Sequence, residues 1–189
     1  MGNATNNKLT ARHSGLPDDS LERAKSAGGK FLTFFLAGEE YGIEILSVHE
    51  IIGMMPITCV PGTPDYICGI INLRGKIIPI VDLRRKFGME SKAQTSETCI
   101  IVVHVQGVEV GTVVDRVSEV LNIAAGDIEP PPSFGKDVNT DYILGIGKSQ
   151  SKVKILLNID RVIATEQIVQ LQKIGGPETA AEESMALAG

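Results

Sequence analysis

Residues 69–87 have the sequence G-I-I-N-L-R-G-K-I-I-P-I-V-D-L-R-R-K-F, in which two apolar runs flank a short polar segment. The runs are rich in β-branched residues, which is typical of buried strands. Asn72 tolerates turn geometry and Gly75 supplies a positive φ angle, so the polar segment is predicted to be a tight hairpin turn with Arg74 at its tip. Pro79 cannot donate a backbone hydrogen bond, which predicts a free edge or a bulge at that point of the second strand.

Arg74 is a candidate recognition residue because of where the predicted turn places it. Its guanidinium group is planar, always charged and carries five hydrogen-bond donors. The alternative is an arginine that is only solvated, since loops carry function but most charged turn residues simply face water. The residues of the hairpin leave both interpretations open.

Composition indicates one aliphatic-core domain with polar ends. The chain has 189 residues, of which 43% are hydrophobic, only 4% are aromatic and none is Trp. This length suits one domain of ordinary size plus tails. The net charge is −5 and no basic block is present, which argues against nucleic acid as a partner.

Cysteine usage and hydropathy predict a cytoplasmic protein. No apolar run reaches the roughly 18 residues that a membrane-spanning helix needs. The N-terminus has no apolar core of a secretory signal. Cys59, Cys68 and Cys99 form an odd, widely spaced set, which favours free and largely buried thiols over a disulfide framework.

The first part of the chain is predicted to form short strands after a flexible leader. Residues 1–29 are polar and lack an apolar face. The spacing of Ile45, Val48, Ile51 and Ile52 favours a short helical segment. The predicted elements are strands at 31–36, 41–45 and 57–60, a helical segment at 46–52 that ends at Gly53, and a helical turn at 82–87 with Asp82 as N-cap.

The second part is predicted to form another β unit and a terminal helix. Gln106 and Gly107 are typical of a tight hairpin between two β-branched strands. Pro130, Pro131 and Pro132 predict an extended surface loop that carries Phe134. The predicted elements are strands at 98–105, 108–114, 117–123, 142–148 and 153–158, a helix capped by Thr165, and an acidic flexible tail at 175–189. The pattern is all-β, as in small barrels or a sandwich.

A search for catalytic and metal-binding patterns is mostly negative. A nucleophilic pair could be built from one of the three cysteines with His49 or His104, but cysteines in apolar strands are usually inert. A zinc site from His49, Cys59 and Cys68 would lack the usual paired cysteine spacing. No phosphate-binding loop of the Walker type is present. The chain is therefore interpreted as a binding module rather than a catalyst.

Several segments together resemble the CheW family of bacterial chemotaxis coupling proteins. The segment G-I-I-N-L-R-G-K-I-I-P-I-V-D-L-R is similar to the family signature, and the similarity extends from about residue 30 to residue 173. The other matching segments are F-L-T-F with E-E-Y-G-I near the start, V-H-E-I at 48–51, G-T-V-V-D-R-V at 111–117, Y-I-L-G-I-G at 142–147 and I-L-L-N-I at 155–159.

The resemblance implies a fold, a function and a location. The implied fold is two packed SH3-like five-stranded barrels with short helices and a C-terminal helix, occupying residues 30–174. The implied function is a non-enzymatic adaptor, without a cofactor, that couples the histidine kinase CheA to methyl-accepting chemoreceptors. Such a protein is cytoplasmic and is associated with receptor arrays at the inner face of the membrane.

The resemblance also implies site residues by position. Val48, Glu50, Arg74 and Cys99 match positions of receptor or kinase coupling. Gly69 and Phe134 match positions of kinase contact. The alternatives are a regulatory module of a related non-flagellar pathway, a CheV-like or kinase-derived module, and a cysteine-dependent enzyme.

Two of these positions carry physical expectations, and another part of the chain departs from the family pattern. Val48 has an alternative role as a core residue, because it belongs to an apolar pattern. Glu50 should be exposed or paired, since a buried unpaired carboxylate is costly, and Arg74 is one candidate partner. Glu129 stands where some family members carry Arg beside the kinase-facing loop, which puts the detail of that contact in question.

Overall fold

The structure is a computed structural model that describes residues 28–132, 140–149 and 152–163. Within these ranges the chain forms strands and only short helices. The strands are β1 Gly29–Leu36, β2 Glu39–Glu44, β3 Val48–Gly53, β4 Ile67–Leu73, β5 Lys76–Asp82, β6 Cys99–Val105, β7 Val108–Val114, β8 Arg116–Ile123, β9 Ile128–Glu129, β10 Ile143–Ser149 and β11 Lys152–Leu157. The helices are α1 Leu83–Lys86 and α2 Ile159–Ile163, with 3-10 turns at Ile45–Ser47 and Ala125–Asp127.

The strands form two sheets, which confirms the all-β prediction. The six-stranded sheet has the order β8-β1-β2-β11-β10-β9, and the five-stranded sheet has the order β3-β6-β7-β5-β4. Most neighbours are antiparallel, but β2 pairs with β11 and β5 pairs with β7 in parallel. The first sheet has one strand more than the predicted five because it includes β9, which is only two residues long.

The division of the strands between the sheets differs from the order predicted along the chain. The β6–β7 hairpin belongs to the five-stranded sheet with β3, β4 and β5, whereas β8 pairs with β1 in the other sheet. The chain crosses between the sheets at Asp115, whose backbone N–H donates to the carbonyl of Phe35 at 3.1 Å. Parallel and long-range pairings of this kind leave no local turn signal, so a reading of successive hairpins misses them.

The predicted helical segment at 46–52 is wrong except for its first turn. Ile45–Ser47 is a 3-10 turn, and β3 follows at once. Along β3, partly buried residues alternate with exposed ones, which is the period of a strand. Its apolar residues fit a helix and a strand about equally well, and pairing with β6 decides in favour of the strand.

The predicted strand at 57–60 is reduced to a single bridge. Thr58 and Ile70 exchange both backbone hydrogen bonds, each at 2.9 Å, and no other residue of that segment joins a sheet. The segment thus touches the edge of the five-stranded sheet at one point, beside β4.

The turns were predicted more successfully. Gln106 and Gly107 join β6 to β7 with φ angles of 49° and 87°. Asp82 caps α1, because its side chain accepts a hydrogen bond from the backbone N–H of Arg85 at 3.2 Å. β5 is an interior strand, but its pairing with β7 begins only at Ile80, so Pro79 lies just outside that ladder, where its missing N–H costs no hydrogen bond.

A short helix, α2, lies at the end of the described residues. α2 begins at Ile159, and the side chain of Asn158 accepts a hydrogen bond from the backbone N–H of Arg161 at 3.1 Å. The helix predicted from Thr165 onward lies outside the described residues. None of the helices in the described ranges is long and apolar enough to cross a membrane.

The hydrophobic core formed by the described residues has three parts. The largest cluster lies between the two sheets and takes side chains from both, including Phe34, Ile43, Val103 and Val114. Each sheet also has a smaller cluster of its own. In the six-stranded sheet this cluster includes Phe31 and Leu156. In the five-stranded sheet it consists of β-branched residues, namely Ile71, Ile78, Ile80, Ile100 and Val102.

Candidate functional site

The β4–β5 turn presents Arg74 to solvent, as predicted. Arg74 and Gly75 have φ angles of 52° and 88°, and the side-chain oxygen of Asn72 accepts from the backbone N–H of Gly75 at 2.8 Å. Two successive positive φ angles are typical of the type I′ turn, whose twist matches that of the strands it joins. The Arg74 side chain is 74% exposed.

Arg74 is held by Glu50 through two parallel hydrogen bonds. Nη1 donates to Oε1 at 2.8 Å, and Nη2 donates to Oε2 at 2.9 Å. This bidentate geometry fixes the plane of the guanidinium group as well as its position. The hydrogen bonds to Glu50 raise the pKa of Arg74. Glu50 is therefore paired, and Arg74, which was one candidate partner, is the residue that pairs with it.

The pair joins opposite edges of the five-stranded sheet. Glu50 lies on β3, which is one edge strand, and Arg74 follows β4, which is the other. The sheet therefore curls far enough for side chains of its two edges to meet. Arg74 is both displayed to solvent and fixed in orientation, which suits a residue that contacts a partner.

Val48 lies on the same strand as Glu50, two residues away. Both are partly buried, whereas His49 between them is exposed. Val48 packs against the core cluster between the sheets, so its core role is real. The register of β3 against β6 shifts between Val48 and Glu50, and such a bulge re-aims neighbouring side chains.

Gly69 is required by the backbone. Its φ angle is 136°, and a Cβ atom at this position would overlap the carbonyl oxygen of Thr58 and lie 3.0 Å from the Cα of Cys59. Any other residue would displace the bridge between Thr58 and Ile70. A substitution at Gly69 would therefore change local structure before it changed any contact with a partner.

Cys99 begins β6 and lies between Gly53 of β3 and Val114 of β7. Its side chain is half-buried against the cluster between the sheets. Burial raises the pKa of its thiol, which makes it less nucleophilic than an ordinary cysteine. The position suits an apolar contact rather than chemistry.

Phe134 lies outside the described residues, so the structure does not test its position. Glu129, the departure noted beside that loop, lies on β9 and is exposed. It accepts a hydrogen bond from Lys148 Nζ at 2.6 Å. The negative charge at this position is thus already partnered within the six-stranded sheet.

Most predicted site residues lie in one sheet. Val48, Glu50, Gly69, Arg74 and Cys99 are all in the five-stranded sheet or its turns. Glu50 and Arg74 are in direct contact. Val48 and Cys99 lie at opposite ends of the β3–β6 pair, because Val48 pairs with Val103 and Cys99 pairs with Gly53.

Sequence reasoning missed a second charged pair beside Arg74. Lys76 Nζ donates to Glu109 Oε1 at 3.0 Å, and His49 Nε2 lies 3.7 Å from the same oxygen. The hydrogen bond from Lys76 lowers the pKa of Glu109. The parallel pairing of β5 with β7 brings these residues together, and no local pattern of the sequence indicates it.

Two of the three thiols have raised pKa values, and the described residues contain no metal-binding cluster. Burial raises the pKa of Cys68, as it does for Cys99. Across residues 28–132, 140–149 and 152–163, no three His, Cys, Asp or Glu side chains are grouped closely enough to hold a metal ion. His49, Cys59 and Cys68, which were weighed as zinc ligands, therefore do not form a group of three.

Comparisons with known proteins agree with this arrangement. A family model described as CheW-like domain matches residues 30–167. The chemotaxis protein CheW of Klebsiella aerogenes is 38% identical over 161 residues, which are 85% of this chain and 97% of that protein. The chemotaxis protein CheW of Bacillus subtilis is 34% identical over 140 residues, which are 74% of this chain and 89% of that protein.

A solved structure shares the fold. The crystal structure of the scaffolding protein TtCheW from Thermoanaerobacter tengcongensis is 39% identical in sequence, with a TM-score of 0.67. The match covers 73% of this chain and 94% of that chain. Because the family model spans most of the chain and relatives above 30% identity are matched over nearly their whole length, this protein belongs to the CheW-like family.

Proposed function

We propose that this protein is a non-enzymatic chemotaxis adaptor that couples a CheA-type histidine kinase to chemoreceptor signalling domains. The observation that carries the proposal is the solvent-displayed Arg74, oriented by two hydrogen bonds to Glu50 on a CheW-like fold. A fixed guanidinium group with an exposed face is a recognition group, because it offers its remaining donors to a partner in a defined geometry.

An adaptor of this kind has no chemical step. It holds two partners in one geometry, and it transmits a signal only by binding one state of the kinase more tightly than another. Coupling in each complex can be weak, because an array of many receptors raises the effective concentration of every component.

The receptor contact is proposed to lie where the two sheets meet. A receptor tip is a pair of helices, and such helices bind in apolar grooves with polar rims. Val48 and Cys99 both pack against the core between the sheets while remaining partly accessible, so they supply the apolar part. Arg74 and Glu50 supply the charged rim.

Contact with the kinase is proposed to involve Gly69 and Phe134 as well. Gly69 contributes through the backbone geometry of β4 and the Thr58 bridge rather than through a side chain. Phe134 belongs to the proline-rich segment that follows β9 in the sequence, and β9 is a strand of the six-stranded sheet. The two partners would then use separable surfaces.

Titration of purified variants against an isolated kinase regulatory domain and an isolated receptor fragment tests the proposal. Arg74→Ala should weaken binding by at least about tenfold, since loss of a charged interface contact raises the dissociation rate. Arg161→Ala is the matched control, because Arg161 is also an exposed arginine but lies on α2. Unchanged binding of both partners to Arg74→Ala would refute the role of the displayed arginine.

Phe134→Ala separates the two surfaces. It should weaken contact with the kinase domain, or with the higher assembly that contains it, and should leave receptor binding unchanged. Equal weakening of both partners by Arg74→Ala and by Phe134→Ala would replace the two surfaces with a single shared one.

The non-enzymatic part of the proposal has its own test. The raised pKa values of the Cys68 and Cys99 thiols support it, because an activated cysteine needs the opposite shift. Purified protein should neither hydrolyse ATP nor transfer phosphate. Turnover that thiol-blocking reagents abolish would instead favour the cysteine-dependent enzyme. Co-purification from cell extract would identify which kinase and receptor the protein serves, in flagellar chemotaxis or in a related pathway.

A further inference from the structure

Two of the three cysteines are brought close together beside Gly69. Thr58 and Ile70 exchange both of their backbone hydrogen bonds at 2.9 Å, so the next residues inward, Cys59 and Gly69, face each other. Cys68 directly precedes Gly69. Residues 59–68 therefore form a loop next to the Thr58–Ile70 bridge, with one cysteine at each end of the loop.

The backbones at this point are unusually close. A Cβ built on Gly69 would lie 3.0 Å from the Cα of Cys59. Directly opposed Cα atoms of antiparallel strands are about 4.5–5.5 Å apart, and a disulfide needs about 4.4–6.8 Å between its two Cα atoms. Cys68 is one residue from Gly69, and it lies near enough to Cys59 for Cys59 to influence its pKa.

The surroundings of Cys68 favour an approach of the two side chains. The β4–β5 register shifts between Ile67 and Gly69, so Cys68 occupies a bulge, where a side chain is re-aimed. Cys68 lines an open concavity of about 110 Å³ together with Ile57, among other residues.

The two thiols differ in accessibility. Cys59 is exposed, whereas Cys68 is half-buried. Burial, followed by the charge of Asp82, raises the pKa of Cys68, and Cys59 is near enough to act in the same direction. An oxidant in solution therefore meets Cys59 first, and Cys68 is placed to resolve the product.

We propose that Cys59 and Cys68 form a reversible intramolecular disulfide when the protein meets a peroxide. The Cys59 thiolate attacks one oxygen of hydrogen peroxide, the O–O bond breaks, and the products are a sulfenic acid on Cys59 and hydroxide. The Cys68 sulfur then attacks the Cys59 sulfur, the S–O bond breaks, and water leaves. In total, two thiols and one hydrogen peroxide become one disulfide and two waters, so two electrons pass from sulfur to oxygen.

Peptide mapping of the full chain after treatment with hydrogen peroxide tests the proposal. A peptide that joins Cys59 to Cys68 with the loss of two hydrogens is expected, and dithiothreitol should restore both thiols. Cys99→Ser is the matched control, because it removes a half-buried cysteine elsewhere in the same sheet and should leave the cross-link unchanged. Cys59→Ser should abolish the cross-link and leave Cys68 reduced.

Other products would overturn the proposal. These are a Cys59 that gains oxygen without joining Cys68, a cross-link only between two copies of the chain, and a cross-link to Cys99. Cys68→Ala provides a second check that does not depend on Cys59: it should fold with an unchanged far-ultraviolet spectrum and stop at the sulfenic acid, which dimedone traps.

A consequence for signalling rests on the proposed function. The disulfide would tie the segment 59–68 against β4 beside Gly69, a proposed kinase contact, so the oxidised protein should bind the kinase regulatory domain several-fold more weakly than the reduced protein. Peroxide-treated Cys59→Ser should bind as the reduced protein does. Equal binding by cross-linked and reduced protein would refute this consequence. A failure of the reduced protein to bind the kinase would refute the proposed function instead, while mapping settles the disulfide independently.

Discussion

Two ion pairs, one in each sheet, show how the same chemistry serves different ends. Arg74 and Glu50 lie at the surface of the five-stranded sheet and share two hydrogen bonds. Lys154 and Glu40 lie within the six-stranded sheet, with side chains only 5% and 8% exposed, and share one hydrogen bond of 2.6 Å. The first pair presents the charge of Arg74 to solvent, whereas the second pair buries both of its charges away from solvent.

The difference in burial changes what each pair does for stability. An exposed pair contributes little, because water screens the attraction and the side chains lose freedom. A buried pair contributes little in net terms as well, since desolvation offsets the attraction, but loss of one partner leaves a bare charge in the interior. The buried pair is therefore structural, and the exposed pair is free to serve recognition.

The largest effect is expected from Lys154→Met. Without the ammonium group, the Glu40 carboxylate would be buried and unpaired, which costs about 3–5 kcal/mol of the free energy of unfolding. Urea denaturation followed by circular dichroism measures this loss. The double variant Glu40→Gln/Lys154→Met should recover most of it, because no bare charge remains. An equally unstable double variant would show that packing, and not charge, holds this region.

Acid sensitivity is the next largest effect. Burial raises the pKa of Glu40, but the hydrogen bonds from Lys154, Thr33 and Ser118 and the charge of Lys154 together outweigh burial, so the net pKa is lowered. A group with a lowered folded-state pKa stabilises the protein above its unfolded-state pKa, and this stability is lost as the pH falls through the folded-state value. Stability should thus be constant near neutral pH and should decrease below the ordinary glutamate range of about 4.3.

Asp115 adds to the same acid response, and a variant isolates the share of Glu40. The hydrogen bonds from Arg84, both of 2.6 Å, lower the pKa of Asp115. Glu40→Gln should flatten the acid branch of a plot of unfolding free energy against pH but not abolish it, because Asp115 remains. If the unfolding free energy of Glu40→Gln fell with pH as steeply as that of the wild-type protein, the buried pair would not titrate in this range.

A much smaller effect on stability is expected from Arg74→Ala. Its side chain faces solvent, so its removal should shift the melting temperature by no more than about 2 °C. Arg74→Lys should keep this stability but should not restore partner binding, because an ammonium group cannot reproduce the planar fork. Differential scanning calorimetry beside the binding titration separates the two. An unfolded Arg74→Ala protein would make the surface pair structural, like the buried one.

The smallest effect is expected at the ends of the chain, where neither pair is touched. The leader was predicted to end at residue 29, but β1 begins at Gly29, which pairs with Ile123, so the deletion should stop at residue 27. Removal of residues 1–27, or of 177–189, should leave the melting temperature within about 2 °C of the intact protein. A larger loss would show that these polar segments pack against the domain.

Sequence patterns predicted the local features of the site well. The tight turn, the display of Arg74 and its pairing with Glu50 follow from turn chemistry and from the cost of an unpaired carboxylate. The same reasoning placed Val48 and Glu50 on a helix, although they lie on β3. The apolar residues at 45, 48, 51 and 52 fit the period of a helix and that of a strand only in part. The backbone pairing with β6 is what makes this segment a strand.

The sequence by itself determined the all-β class, the hairpins at Arg74 and at Gln106, the cap at Asp82 and the resemblance to the CheW family, because each depends on residues close together in the chain. Only the tertiary structure decided which strands share a sheet, that Lys154 meets Glu40, and that Cys59 comes beside Cys68. These contacts depend on parallel pairing of β2 with β11, on the crossing of β8 to β1 and on a single bridge at Thr58. Pairings between distant residues are selected by burial of the whole core, which no local pattern of residues records.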